Sequence, residues 1–189
     1  MERVARVRFL AVRRLLAAAV FAFAAVALDA KVFLTQEEAL KLAFPGATIE
    51  HKIAYLTAAQ QKQAQKLSAD EELPGAIVSY YVATKDGRPV GTAYLDTHVV
   101  RTMPETIMVV VDPSGLVARI EVLSFSEPEE YLPRAHWYEQ FQGKPLDDEL
   151  SLKRGIRPVT GATLTAHATT DAARRVLALD RVLRQSPSK

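Results

Sequence analysis

Two β-rich runs, Thr106-Ile-Met-Val-Val-Val111 and Leu116-Val-Ala-Arg-Ile-Glu-Val-Leu123, are separated only by Asp112-Pro-Ser-Gly115. A Pro/Gly turn this short joins neighbouring antiparallel strands, because parallel strands need a crossover of roughly a dozen residues or more. The same arrangement occurs upstream, where Ile77-Val-Ser-Tyr-Tyr-Val82 and Val90-Gly-Thr-Ala-Tyr-Leu95 flank Lys85-Asp-Gly-Arg-Pro89. The middle of the chain is therefore expected to be an antiparallel sheet.

Helices bracket that sheet. Thr35-Gln-Glu-Glu38 has capping-box spacing, with Ala39, Leu40, Leu42 and Ala43 behind it and Phe44-Pro45-Gly46 as the stop. Thr57-Ala-Ala-Gln60 repeats the device ahead of a Gln/Lys/Ala segment to about Leu67, which reads as a surface helix. Residues 128–155 read as loop and short helix around Trp137, Tyr138 and Phe141. After them Ala168, Ala172, Val176, Leu179 and Leu183 recur at helical spacing. That stripe should pack on the sheet, with Asp171, Arg174, Arg175, Asp180, Arg181 and Arg184 forming a solvated face. The fold class expected is α+β, an antiparallel sheet packed with helices. At 49% hydrophobic and 24% charged, the composition suits one core.

The front of the chain carries Arg3, Arg6, Arg8, Arg13 and Arg14, followed by the 14-residue apolar run from Leu15 to Leu28. This is signal-peptide anatomy, too short for the roughly 20 residues of a spanning helix. Ala25-Val26-Ala27 suits cleavage after Ala27; cleavage after Ala30 and an uncleaved anchor are the alternatives. The chain divides into a signal peptide (1–27), an N-terminal helical segment (28–74), a main domain (75–184) and a tail (185–189), with a periplasmic or otherwise extracytoplasmic location. Beyond residue 27 the chain holds 19 basic and 21 acidic side chains, which removes the electrostatic basis for nucleic-acid binding. Cysteine is absent, so thiolate metal sites, iron–sulfur clusters and thiol catalysis are excluded.

Chemistry concentrates just before the last helix, at Val159-Thr-Gly-Ala-Thr-Leu-Thr165. Free N–H groups and the positive end of the helix dipole favour an anion there, and Gly161 and Ala162 keep bulk away from it. The Gly-Lys-Ser/Thr of a P-loop is missing. Thr160-Gly161-Ala162-Thr163 resembles the flavinylation motif Asp-x-x-Ser/Thr-Gly-Ala-Thr of the FMN-binding domain family. That family includes FMN-carrying subunits of the Rnf complex and of the sodium-translocating NADH:quinone reductase. The similarity runs over roughly residues 75–180. Gly115-Leu-Val-Ala-Arg-Ile-Glu-Val-Leu123 resembles the family's turn and strand, and Glu127-Pro128 its Glu-Thr-Pro-Gly loop. Arg157 stands where the motif has an acidic residue.

The resemblance implies an FMN-binding-like fold with FMN joined by a phosphoester to Thr163, placed there by a flavin transferase that uses FAD. It also implies electron donors and acceptors in the membrane or periplasm, such as a cytochrome or reductase. The candidate cofactor-binding residues are Thr160, Gly161, Ala162, Thr163, Thr165, Glu127, Trp137 and His167, with Tyr131 as a further neighbour of the flavin ring. His167 follows Thr163 by one helical turn. His51, His98 and His136 have no ligand-type partner at helical spacing, so no metal site is read. No acid, base or nucleophile of a substrate-specific enzyme is evident. The alternative reading is a cofactor-free periplasmic interaction or sensory module in which Thr163 merely caps a helix.

Overall fold

A computed structural model describes residues 31–69, 73 and 75–185. The signal peptide read over 1–27 and most of the tail lie outside the described residues. Six strands form one sheet in the order β1-β6-β5-β4-β3-β2. They are β1 (Lys31–Val32), β2 (Thr48–Tyr55), β3 (Ile77–Lys85), β4 (Arg88–Val99), β5 (Pro104–Val111) and β6 (Val117–Phe125). All five pairings are antiparallel. The helices are α1 (Gln36–Ala43), α2 (Ala58–Leu67), α3 (Ala135–Tyr138) and α4 (Thr163–Gln185). The architecture is α+β.

Local chemistry accounts for the turns. Asp86 and Gly87 take φ of 51° and 73°, the two positive values that a tight type I′ hairpin between β3 and β4 requires. At the β5–β6 turn the Asp112 carboxylate accepts the N–H groups of Ser114 and Leu116, while Gly115 supplies a φ of 84°. Both expected capping boxes form. Thr35 and Glu38 exchange hydrogen bonds at the start of α1, and Thr57 and Gln60 do so at α2.

Segment 28–74, read above as helical, also contains β1 and the eight-residue strand β2. Strand β2 lies at the sheet edge with both faces partly wet, so its sequence Thr-Ile-Glu-His-Lys-Ile-Ala-Tyr lacks the apolar alternation of a half-buried strand. The register with β3, from Thr48 opposite Thr84 to Tyr55 opposite Ile77, makes the segment part of the same sheet.

The two faces of the sheet are covered unequally. Ile107, Val109, Val111, Val117 and Ile120 pack beneath α4, α3 and α2. Among the described residues only α1 and the Phe44 that follows it cover the opposite face, with Ala39, Leu40 and Phe44 on Ala83, Ala93, Met108, Val110 and Leu123. Helix α4 is held between the sheet and α2, so its buried surface extends beyond one stripe. Ala172, Val176 and Leu179 are buried as the spacing predicts, and so are Ala173, Leu177, Ala178 and Val182. Arg175 and Asp180 are buried as well, and in this respect the solvated-face reading is corrected. A second packing partner leaves little of the helix to water, and each buried charge has a counterpart.

Candidate functional site

The approach to α4 is fixed by its backbone. The Trp137 indole N–H donates to the Arg157 carbonyl at 2.7 Å, and the Arg157 N–H donates to Gln140 Oε1 at 2.7 Å. Arg157 itself is exposed. Gly161 turns the chain with a φ of 86°, and a side chain there would meet nothing within 4 Å. The first helical hydrogen bond runs from the Ala166 N–H to the Ala162 carbonyl, which places Ala162 at the cap. Alanine has no side-chain acceptor. The N–H groups of the exposed Thr163 and Leu164 therefore face outward from the positive end of a 23-residue helix, with no partner among the described residues.

Neighbouring hydroxyls separate sharply here. Thr165 is fully buried, and its Oγ1 donates to the Tyr131 carbonyl. Thr163 is exposed, and its Oγ1 donates to the Val159 carbonyl at 3.0 Å, leaving the oxygen lone pairs toward solvent. Thr160 is also exposed, whereas Ala162 is buried.

One turn beyond Thr163, the exposed His167 contacts Asp171 through Nδ1 at 2.6 Å. A cleft of about 370 Å³ opens from this point along the same helix face, lined by His167, Thr170, Asp171 and Arg174 of α4 and by Ser151 and Arg154 opposite. Residues 163, 167, 170, 171 and 174 follow helical spacing, so Thr163 is on the same helix face one turn before the cleft's first lining residue, His167.

The remaining candidates serve the framework. Glu127 accepts hydrogen bonds from the Thr102 and Met103 N–H groups and the Thr102 hydroxyl, closing the β4–β5 hairpin. The Thr102 N–H and its companions hold the Glu127 carboxyl below the ordinary carboxylate range. Trp137 is 7% exposed and meets Tyr138 and Phe141 edge-on. Tyr131 lies beneath the Arg101 guanidinium, 4.4 Å from the ring centre. His51 stacks on Tyr81 and bonds Ser79, and His136 is exposed. Among the described residues no group of His, Asp and Glu side chains is arranged to hold a metal ion.

Sequence reasoning missed a buried polar chain between the sheet and α4. Arg175 pairs with Asp96 through three hydrogen bonds, and His98 bridges Asp96 at 2.9 Å and Glu105 at 3.1 Å. Burial opposes the charged form of His98, but its bonds to the two carboxylates prevail and raise its pKa to about 9. Burial likewise opposes ionisation of Asp96, yet His98 and Arg175 hold its pKa below the ordinary value. Tyr94 donates to Asp180, and burial suppresses the ionisation of both Tyr94 and Tyr138. The only trace of this chain in the sequence is the placing of Asp96, His98 and Glu105 in otherwise apolar strands.

No family model, no curated protein and no solved structure matches the chain.

Proposed function

We propose that this protein is an exported flavoprotein electron carrier with an FMN-binding-like fold and FMN covalently attached to Thr163. The observation that carries the reading is the split between the two hydroxyls of the first turn of α4. Thr163 is open to a modifying enzyme, while Thr165 is buried and committed to Tyr131. The local residues fit a phosphoester: the outward N–H groups of Thr163 and Leu164, a helix N-terminus and the unobstructed Gly161 lie beside the Thr163 oxygen. In the attachment, Thr163 Oγ1 loses its proton to a base of the transferase. A new O–P bond forms, the pyrophosphate bond of FAD breaks and AMP leaves. The flavin would supply one- and two-electron chemistry, exchanged with a membrane or periplasmic donor and acceptor.

The chain's own part is positioning. Helix α4 is fixed along its length, so Thr163 sits on a rigid support, and the cleft beginning at His167 offers room beside it. Arg157 is exposed on the same approach and can neutralise phosphate charge where the family motif has an acid. The second reading, a cofactor-free interaction or sensory module, is favoured by one observation. Glu127 and Trp137 are both occupied by the hairpin and the core.

Coexpression with a flavin transferase, followed by peptide mass spectrometry, tests the proposal. The expected result is FMN on the peptide containing Thr163, fluorescence that stays with the denatured chain, and loss of both in Thr163→Ala. An unmodified peptide beside a control substrate that the same transferase does modify would leave the second reading in place.

A further inference from the structure

Among the described residues, the sheet face under α1 is only half covered. Toward the end of the sheet that holds the β4–β5 hairpin tip, Val32, Ile53, Tyr55, Ile77 and Val99 are all exposed, by 54–75%. Register places them on one face. Tyr55 is opposite Ile77, and Val32, Ser124, Thr106 and Thr97 form one row across four strands. Val99 lies two residues from Thr97, and Ile77 four from Tyr81, which packs with α1. No acidic side chain belongs to this row or to these five positions, and the row's polar members satisfy each other where Thr97 and Thr106 share a hydrogen bond. Only Leu42, Val90, Phe33 and Leu164 complete the set of large exposed apolar side chains among the described residues. Of these, Leu164 is in the first turn of α4 and Phe33 adjoins Val32.

The chain outside the described residues indicates what meets this half-face. The apolar run ends at Leu28, three residues before Lys31, and three extended residues span at most about 10 Å. Chain connectivity therefore keeps the end of the run within that reach of Lys31, beside Val32, and five arginines precede the run in sequence. An apolar patch of this kind marks an interaction surface, and Tyr with Ile and Val is a composition that suits a bilayer interface. We infer that this half-face docks on a lipid bilayer surface, with the N-terminal apolar segment retained as its tether. The inference rests on the export proposed above and takes the uncleaved-anchor alternative for the N-terminus, but it does not rest on flavin attachment. It would leave α4, with Thr163, on the face of the sheet turned away from the bilayer.

Because the chain lacks cysteine, single-cysteine probes are unambiguous. The full chain, as Tyr55→Cys, Ile77→Cys, Val99→Cys or the control Val90→Cys at the β3–β4 hairpin end of the sheet, is labelled with an environment-sensitive dye. Each variant is then reconstituted into phosphatidylethanolamine/phosphatidylglycerol vesicles with and without spin-labelled lipid. Emission at 55, 77 and 99 should fall by about half or more with the quencher, while emission at 90 stays constant. The same pattern is expected in a Thr163→Ala background, so failure of flavin attachment and failure of docking are read separately. Unquenched emission at all sites, or equal quenching at 90, overturns the inference. So does an intermolecular disulfide between Ile77→Cys copies with no lipid quenching, since a second copy would then cover the face.

Discussion

Arg175 and Asp96, 79 residues apart, form a two-pronged ion pair in which Nη2 lies 2.8 Å from Oδ1 and Nε 3.2 Å from Oδ2, both side chains about nine-tenths buried. It joins α4 to β4. Removing one partner leaves a buried charge with fewer counterparts, so Arg175→Ala should cost about 3–5 kcal/mol. Asp96→Leu with Arg175→Met should recover a good part of that loss, because burying the pair is itself expensive. Denaturant midpoints of the singles and the double complete the cycle. A single-variant cost no larger than that of an exposed substitution would show that the pair contributes little.

His98 gives this network a pH dependence. Its folded pKa of about 9 exceeds the ordinary 6.5, so folding favours its protonated form. The contribution is fully present below pH about 6.5 and is lost as pH rises through about 9. Asp96, shifted down, acts oppositely, and its contribution is lost only in acid. Stability should therefore fall between pH 7 and about 9.5, and His98→Gln should flatten that slope while lowering stability near neutrality. Measurement stops near pH 9.5 because the suppressed ionisation of Tyr94 and Tyr138 begins to favour the unfolded chain near pH 10. A wild-type slope unchanged in His98→Gln would assign the dependence to another group.

The hairpins, both capping boxes and the α4 stripe were legible because each depends on residues close in sequence. Asp112 and Gly115 make their turn with neighbours two to four positions away. Strand β2 was not legible, since an edge strand wetted on both sides loses the alternation that identifies strands. The burial of Arg175 and Asp180 depends on Asp96, Tyr94 and the covering helix α2, all distant in sequence, and helical spacing treats any charge off the stripe as solvated. The site is similarly divided. The threonines of the helix start could be read directly, but which hydroxyl is free depends on Tyr131, a residue 34 positions from Thr165. The structural duties of Glu127 and Trp137 come from the hairpin tip and from the Arg157 carbonyl, which no local pattern identifies.

Gly91 marks where α1 meets the sheet most closely. A Cβ built there would stand 2.9 Å from the Phe44 ring and 3.0 Å from the Val111 carbonyl oxygen. Gly91→Ala should thus cost about 1–3 kcal/mol by overpacking. Phe44→Leu relieves one of the two contacts, so the double variant should lose less than the sum of the singles. Additive losses in thermal unfolding would indicate that the ring is not the obstacle.

The two hydroxyls at the start of α4 should also separate in stability, without any cofactor present. Thr165 Oγ1 is buried against the Tyr131 carbonyl, which accepts no other hydrogen bond among the described residues. Thr165→Val keeps the volume but leaves the acceptor unsatisfied, at an expected cost of about 1–3 kcal/mol. Thr165→Ser keeps the hydroxyl and should lose less, since only a methyl group is removed. Thr163 is exposed, and its hydroxyl returns a bond to Val159 in water's presence, so Thr163→Ala should cost at most about 1 kcal/mol. Unfolding in denaturant of the three unmodified variants decides the order. A Thr163→Ala loss equal to that of Thr165→Val would make Thr163 a structural residue, and loss of flavin from that variant would then no longer identify the attachment atom.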